Sequence, residues 1–203
     1  MMTTQVEWPD LMLLNTYAPN NGKDYTSFER RREWDTEALK FAEAMHGMPL
    51  VWIGDFNATL EDADVTEPHW FRSHGSQHSG GDRGVAGFTV NEQTRFGGML
   101  AAGTLVDAWR RQHPVGEAPE STEPLWSWRN GTGQGMRLDY TLVSARLASR
   151  VTAATILGSA TANGALVGFY GSDHCPIMLE LSEADGAEGE AAEAAGGHGE
   201  AEE

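Results

Sequence analysis

The chain has 203 residues, 40% hydrophobic and 9% aromatic, which is enough for one domain with a core of its own. Its 14 basic and 30 acidic residues leave a formal net charge of −16, which excludes holding a polyanion by bulk positive charge. No apolar run reaches the roughly 18 residues a membrane helix needs, no secretory signal is expected from the first residues, and one cysteine excludes a disulfide framework or a multi-cysteine zinc module.

The charge is unevenly spread. Residues 182–203 hold eight acidic residues and no Lys or Arg among Ala and Gly, so half of the net charge lies there. Such a stretch buries too little apolar surface to offset its ordering entropy and is expected to be a disordered acidic tail. The expected domain is residues 1–181. It is still acidic, so action on a polyanion would call for divalent cations at the contact.

Leu11–Tyr17 reads as a buried strand that ends at the turn signal Ala18-Pro19-Asn20-Asn21-Gly22. Thr26-Ser27-Phe28-Glu29 has capping-box spacing, and Trp34, Ala38, Phe41 and Met45 then follow one helical face, with Gly47 and Pro49 as a stop. Leu50–Ile53 reads as a second buried strand running into Gly54-Asp55-Phe56-Asn57. Residues 66–87 read as one long polar loop; its His69, His74 and His78 fit a solvated loop better than a zinc site, since no cysteine assists them.

Thr89-Val90-Asn91-Glu92 opens a second predicted helix that runs through Leu100 and stops at Gly103. Leu125–Trp128 and Met136–Val143 read as hairpin strands around an enlarged glycine-rich loop, and residues 151–157 and 176–181 as the last strands. Strands and helices alternate without repeats. The expected fold is therefore a layered α/β domain.

Three acidic signals sit at strand ends: Asp55 with Asn57, Asp139 within Arg137-Leu138-Asp139-Tyr140, and Asp173 with His174 before the last strand. Carboxylates, an amide and a histidine gathered at a sheet end suit a hard cation such as Mg²⁺ and metal-assisted hydrolysis of a phosphate ester. Each signal alone also fits a plain structural role. Asp55 could form a turn, Asp139 could pair with Arg137, Asp173 could cap, and His174 could be a loop histidine.

Taken together, Asn15-Thr16-Tyr17-Ala18-Pro19-Asn20, Gly54-Asp55-Phe56-Asn57, Arg137-Leu138-Asp139-Tyr140 and Ser172-Asp173-His174-Cys175-Pro176 resemble four successive blocks of the exonuclease III type of apurinic/apyrimidinic endonucleases. That type belongs to the endonuclease/exonuclease/phosphatase superfamily. Gly87-Phe88-Thr89 and Val106-Asp107-Ala108-Trp109-Arg110 also look like it. The resemblance covers roughly residues 5 to 181 and implies the C-terminal portion of a four-layered α/β sandwich, two packed sheets flanked by helices. The blocks in which the family carries an Asn strand and a Gln-Glu pair would precede Asn15 and have no room here, so the domain is expected to be incomplete at its N-terminus.

The resemblance also implies roles. Tyr17 would contact the scissile phosphate, with Asn20 and Lys23 nearby. Asp55 would orient or deprotonate the attacking water, and Asn57 would hydrogen-bond a phosphoryl oxygen. Asp139 would hold and polarise His174. The metal, Mg²⁺ or alternatively Mn²⁺, would lie among Asp55, Asn57, Asp173 and His174. Asp64 is a weaker candidate near the Asp55 block. Trp126 and Trp128 alternate as strand neighbours facing one side; with Met136 they fall near an abasic-sugar pocket, core packing being the plainer role.

The Arg30-Arg31-Arg32 run is read as a solvated helix face rather than a phosphate contact, and Cys175 as an inert buried thiol. The implied activity is cleavage of DNA 5′ to abasic sites in base-excision repair by a monomer, unless a second chain supplies the missing half. The implied compartment is intracellular, the nucleus if eukaryotic. The alternatives are another nuclease or phosphatase branch and a catalytically impaired fragment.

Overall fold

The computed structural model describes residues 2–8, 11–22, 24–75, 83–116, 125–160, 166–167 and 171–183. In chain order its elements are β1 (Met2–Trp8), β2 (Leu11–Tyr17), α1 (Tyr25–Ala44), β3 (Leu50–Asp55), α2 (Pro68–Ser73), α3 (Val90–Gly103), β4 (Leu105–Asp107), α4 (Ala108–Gln112), β5 (Trp128–Arg129), β6 (Gly135–Met136), β7 (Asp139–Ser144), β8 (Val151–Ile156), β9 (Ser159–Ala160), β10 (Leu166–Val167) and β11 (Ile177–Leu181). The main sheet has the order β1-β2-β3-β7-β4. Its one parallel pair, β2 with β3, is joined by α1, since parallel neighbours need a crossover longer than a turn.

Alternation along the strands sorts the two faces. Leu14, Leu50, Trp52, Tyr140 and Leu142 point to one face and pack against Trp34, Ala38 and Ala42 of α1 and Phe96 and Met99 of α3. Val51 and Val143 point to the other and meet Trp109 of α4, Leu147, and Ala154 and Ile156 of β8. There β8 and β11 form a two-stranded antiparallel sheet of their own. The result is a layered α/β arrangement: helices, five-stranded sheet, second sheet. Residues 15, 17, 53, 55, 139 and 141 share the parity of that second face.

Several sequence expectations need correction. Helix α1 is capped by Asp24, whose carboxylate accepts from the Ser27 N–H at 2.7 Å, so the helix starts before the Thr26 box. The second capping box forms as expected between Thr89 and Glu92, although the left-handed residue at its end is Thr104 rather than Gly103.

Residues 66–87 are not a single loop. Pro68 opens α2, which buries Phe71 among Val65, Phe88, Met136 and Leu138; residues 76–82, with His78, lie outside the described residues. His74 is engaged within α2, stacked on Trp70 with ring centroids 4.4 Å apart. The expected strands Leu125–Trp128 and Met136–Val143 shrink to the two-residue ladder β5–β6 and to β7. Between them the Arg137 side chain is drawn into buried ion pairs and the Leu138 N–H bonds to a side chain rather than to a strand.

No helix among the described residues is long and apolar enough to cross a membrane. The acidic stretch from residue 184 onward lies outside the described residues.

Candidate active site

The site is laid out by strand register. Tyr17 at the end of β2 pairs with Asp55 at the end of β3, and Asp55 pairs with Asp139 at the start of β7. The three residues form one row across three adjacent strands, on the face shared with β11. Gly54 permits the close approach of β2 and β3: its φ is 135°, and a Cβ there would lie 2.1 Å from the Thr16 carbonyl oxygen. Tyr17 is exposed and Asp55 buried.

Like charges opposed across a ladder repel. Burial first, and the neighbouring Asp139 carboxylate second, push the Asp55 pKa up to about 7, against the pull of the Asn57 N–H and the charges of His174 and Arg31. Asp139 has a partner on the far side: His174 Nδ1 donates to its Oδ2 at 2.8 Å. Burial alone would lower the His174 pKa, but the hydrogen bond and charge of Asp139, with Asp55 and Asp173, outweigh it and raise the net value. A buried serine fixes this pair. Ser127 Oγ accepts from the backbone N–H groups of Leu138 (3.1 Å) and Asp139 (2.9 Å), and its carbonyl accepts from the Cys175 N–H at 2.7 Å. Both Asp139 and the residue after His174 are thus anchored to one point.

Asn57 adopts the left-handed conformation, with φ 47°. Its Nδ2 donates to the Ala18 carbonyl and to Asp55 Oδ2, both at 2.9 Å, and its Oδ1 accepts from Asn20 Nδ2 at 2.9 Å. Both amide hydrogens are spent, so Asn57 has no donor free for a phosphoryl oxygen, contrary to expectation. Asn20 is exposed, with its Oδ1 accepting from the Gly22 N–H.

The remaining sequence candidates separate. Asp173 is exposed, and its Oδ2 accepts from Trp128 Nε1 at 3.0 Å. Met136 is buried in the cluster with Phe71 and Phe88, so it lies under the surface rather than lining a pocket. Trp126 covers Gly135, where an added Cβ would lie 2.0 Å from its ring. Lys23 lies outside the described residues.

Asp64 is a structural hub. It is buried and accepts from Arg137, Arg110, Tyr140 Oη and the Leu60 and Glu61 N–H groups. Burial would raise its pKa, but the two guanidinium groups hold it below the usual carboxylate value. Burial likewise pushes the Cys175 thiol up to about 11, consistent with an inert thiol.

Sequence reasoning missed two residues. Ser127 gives no signal between two tryptophans. Arg31, read as solvated, is fully buried; its spacing from Trp34 and Ala38 puts it on the apolar stripe of α1, which was the available clue.

The expected cation ligands do not assemble. Among the described residues no three His, Cys, Asp or Glu side chains are grouped to hold a metal ion. Both Asn57 amide hydrogens are donated, its oxygen already accepts from Asn20, and one Asp173 oxygen accepts from Trp128. Asp55, Asn57, Asp173 and His174 therefore do not fit a Mg²⁺ cage by themselves.

A groove of about 1010 Å³ opens beside the row, bordered by Tyr17, Asn20, Arg30, Trp34 and Phe41; Asp55, Asp139 and His174 do not line it.

The chain thus combines a layered α/β fold with paired carboxylates and a histidine at strand ends. Residues 9–174 match the model of the Endonuclease/Exonuclease/phosphatase family, and the chain belongs to that family. It is 39% identical over 188 residues to a DNA-(apurinic or apyrimidinic site) endonuclease of Arabidopsis thaliana, a match covering 87% of this chain and 50% of that protein. The chain thus spans half the length of that relative.

Its fold is similar to the crystal structure of the AP endonuclease LMAP from Leishmania major, with TM-score 0.65, 24% identity, and 90% and 54% of the two chains covered. It is also similar to an AP endonuclease from Archaeoglobus fulgidus, with TM-score 0.67, 20% identity, and 89% and 65% covered.

Proposed function

We propose that this chain is a phosphodiester hydrolase acting on DNA at abasic sites, cutting the backbone 5′ to the lesion and leaving a 3′ hydroxyl, as in base-excision repair. The observation that carries the reading is the placement of Asp55 directly beside the hydrogen-bonded Asp139–His174 pair at the ends of adjacent strands. The name of the Arabidopsis relative supports the substrate.

In this reading Asp55, with a pKa near 7, takes a proton from water as the water oxygen attacks phosphorus. The bond to the 3′ oxygen breaks, and that oxygen takes a proton from solvent and leaves as a hydroxyl. His174, whose cationic form the Asp139 hydrogen bond favours, meets the charge that builds on the phosphoryl oxygens. Tyr17 stands exposed at the end of the row, where it contacts the phosphate. Asn20 takes the phosphate-binding place expected of Asn57, and Asn57 holds Asn20 and Asp55 in one frame. Mg²⁺, or Mn²⁺ in its place, belongs to the proposal only as a group that would offset the paired charge of Asp55 and Asp139.

The test is incision of a duplex carrying one abasic analogue, with and without Mg²⁺, the products being read for a 3′ end that a polymerase extends. Incision by the wild type, falling on the order of 10²-fold or more in Asp55→Asn and in His174→Ala, is the expected result. Removal of 3′ phosphates without abasic incision would move the chain to another branch of the family. No turnover above the Asp55→Asn background on either substrate would overturn the reading.

A further inference from the structure

We infer that Arg31 is a positioning residue: from inside α1 its guanidinium ties the loop that carries Asn20 to the loop that carries Asn57, and so fixes the carboxamide pair beside Asp55. Its catalytic consequence rests on the function proposed above; the tie between the loops does not.

The argument starts from the cost of the residue. Arg31 sits on the buried stripe of α1, where an apolar side chain would serve packing, and its guanidinium is wholly withdrawn from water. A buried cation is tolerated only with a counter-charge and filled hydrogen bonds, and a buried ion pair is seldom the cheapest route to stability. The counter-charge is Asp35, one helical turn on, whose Oδ1 accepts from Arg31 Nε at 2.8 Å. The other Asp35 oxygen accepts from Arg95 Nε of α3 at 2.7 Å, so the carboxylate is held from both sides. The guanidinium also lies over the Trp34 ring, 5.3 Å from its centroid, which leaves it one orientation.

What remains of the guanidinium is spent on the site. The two hydrogens of Nη1 are shared among the carbonyl oxygens of Pro19 (3.1 Å), Phe56 (2.8 Å) and Asn57 (3.0 Å). Pro19 precedes Asn20 in the loop after β2, while Phe56 and Asn57 follow Asp55 in the loop after β3. These are the two loops whose side chains meet in the Asn20–Asn57 contact. The left-handed backbone of Asn57 is uncommon for a residue with a side chain, and such a conformation persists only where its surroundings hold it. The Arg31 contact to the Asn57 carbonyl is one such restraint, and the Asn57 N–H to Asp55 Oδ1 bond at 2.7 Å is another. One buried guanidinium nitrogen thus sets the distance between the two loops, and through Asn57 the orientation of the Asp55 carboxylate.

A lysine cannot replace it. Its single nitrogen cannot reach Asp35 and the three carbonyls together.

The experiment uses the full chain carrying Arg31→Lys, Arg31→Met or Asp35→Asn. Met99→Ala, a core change under α3 away from the site, is the control for lost stability. Two readouts are taken: kcat and KM on the abasic duplex, and the amide NMR signals of Asn20 and Asn57. Arg31→Lys is expected to lower kcat on the order of 10²-fold with KM moved by less than about threefold, because misplacement by an ångström costs that much. The Asn20 and Asn57 carboxamide signals should shift and their hydrogens exchange faster. Met99→Ala should lower the melting temperature, keep kcat within about threefold and leave those signals in place.

If neither Arg31 variant folds, Asp35→Asn, which leaves Arg31 present but removes its counter-charge, should show the same changes. Unmoved carboxamide signals in a folded Arg31→Lys or Asp35→Asn protein would overturn the inference. So would an equal loss of kcat in Met99→Ala. If the wild type cleaves nothing, the proposed function fails, and the NMR signals alone decide whether Arg31 ties the loops.

Discussion

Asp55 and Asp139 stand directly opposite each other on β3 and β7, two carboxylates on one face of one sheet. Nothing in strand pairing favours this, since like charges so placed destabilise a ladder. The arrangement stores an unfavourable interaction at the point where the proposed reaction needs a proton acceptor.

The first prediction is the pH dependence of that cost. The folded pKa of Asp55, about 7, lies above its ordinary value of 3.8, so the folded state binds this proton more tightly than the unfolded state. The contribution of Asp55 to stability is therefore full below pH 3.8 and is lost as pH rises toward 7. Asp55→Asn removes the titration. Measured by denaturant unfolding, the stability of Asp55→Asn relative to the wild type should rise between pH 4 and pH 8, by at most roughly 4 kcal/mol. A difference that does not change with pH would count against the paired-carboxylate account.

The second concerns His174. Its pKa is raised by the Asp139 hydrogen bond and the surrounding carboxylates against the effect of burial. With Asp139→Asn the burial effect should win, and the His174 pKa followed by NMR should fall to or below its ordinary 6.5. In the wild type the stabilising contribution of the pair is present below pH 6.5 and fades as pH rises through the raised value.

A third prediction follows from Ser127, which accepts from two backbone N–H groups in a fully buried place. Ser127→Ala leaves two donors without an acceptor and should cost on the order of 1–3 kcal/mol for each donor left unsatisfied. Activity should fall further than stability alone explains, because Asp139 loses its backbone anchor. Unfolding curves and single-turnover rates on the same samples separate the two effects.

The fourth separates structure from chemistry at Asp64. Asp64→Asn removes the counter-charge that Arg137 and Arg110 share, leaving Asp107 and Glu61 to them, and should destabilise by about 3–5 kcal/mol, the cost of breaking a buried pair. Turnover per folded molecule, measured well below the melting temperature, should stay close to that of the wild type. A specific loss of kcat with stability intact would show that Asp64 belongs to the reacting groups.

The parts of the fold that depend on local pattern were legible. The apolar runs at Leu11–Tyr17 and Leu50–Ile53 became central parallel strands, and the Thr89–Glu92 capping box opened α3. The rows of strand-end residues were legible as a set, because Asp55, Asp139 and His174 announce themselves by type and by the apolar runs beside them.

Interior polar bookkeeping was not legible. Whether the Asn57 amide is free depends on Ala18 and Asn20, distant in sequence, and no spacing encodes it. Arg137 looked like a strand residue because its neighbours alternate, yet its charge is drawn inward by Asp64 and Asp107 and interrupts the strand. Arg31 was misjudged by composition: three consecutive arginines suggest a wet surface, while helical periodicity places the middle one inside.

The reacting groups straddle two sheets of unequal strength. Asp55 and Asp139 ride on the five-stranded sheet, Asp55 between ladders on both sides, whereas His174 leads into β11, whose only strand partner among the described residues is β8. Two-stranded pairings are the weaker unit and open at lower free energy than a central ladder. Loss of the β8–β11 pairing should therefore leave the His174–Asp139 contact hanging on the backbone bonds that Ser127 and Arg129 make to Cys175 and Asp173, while the larger sheet still stands.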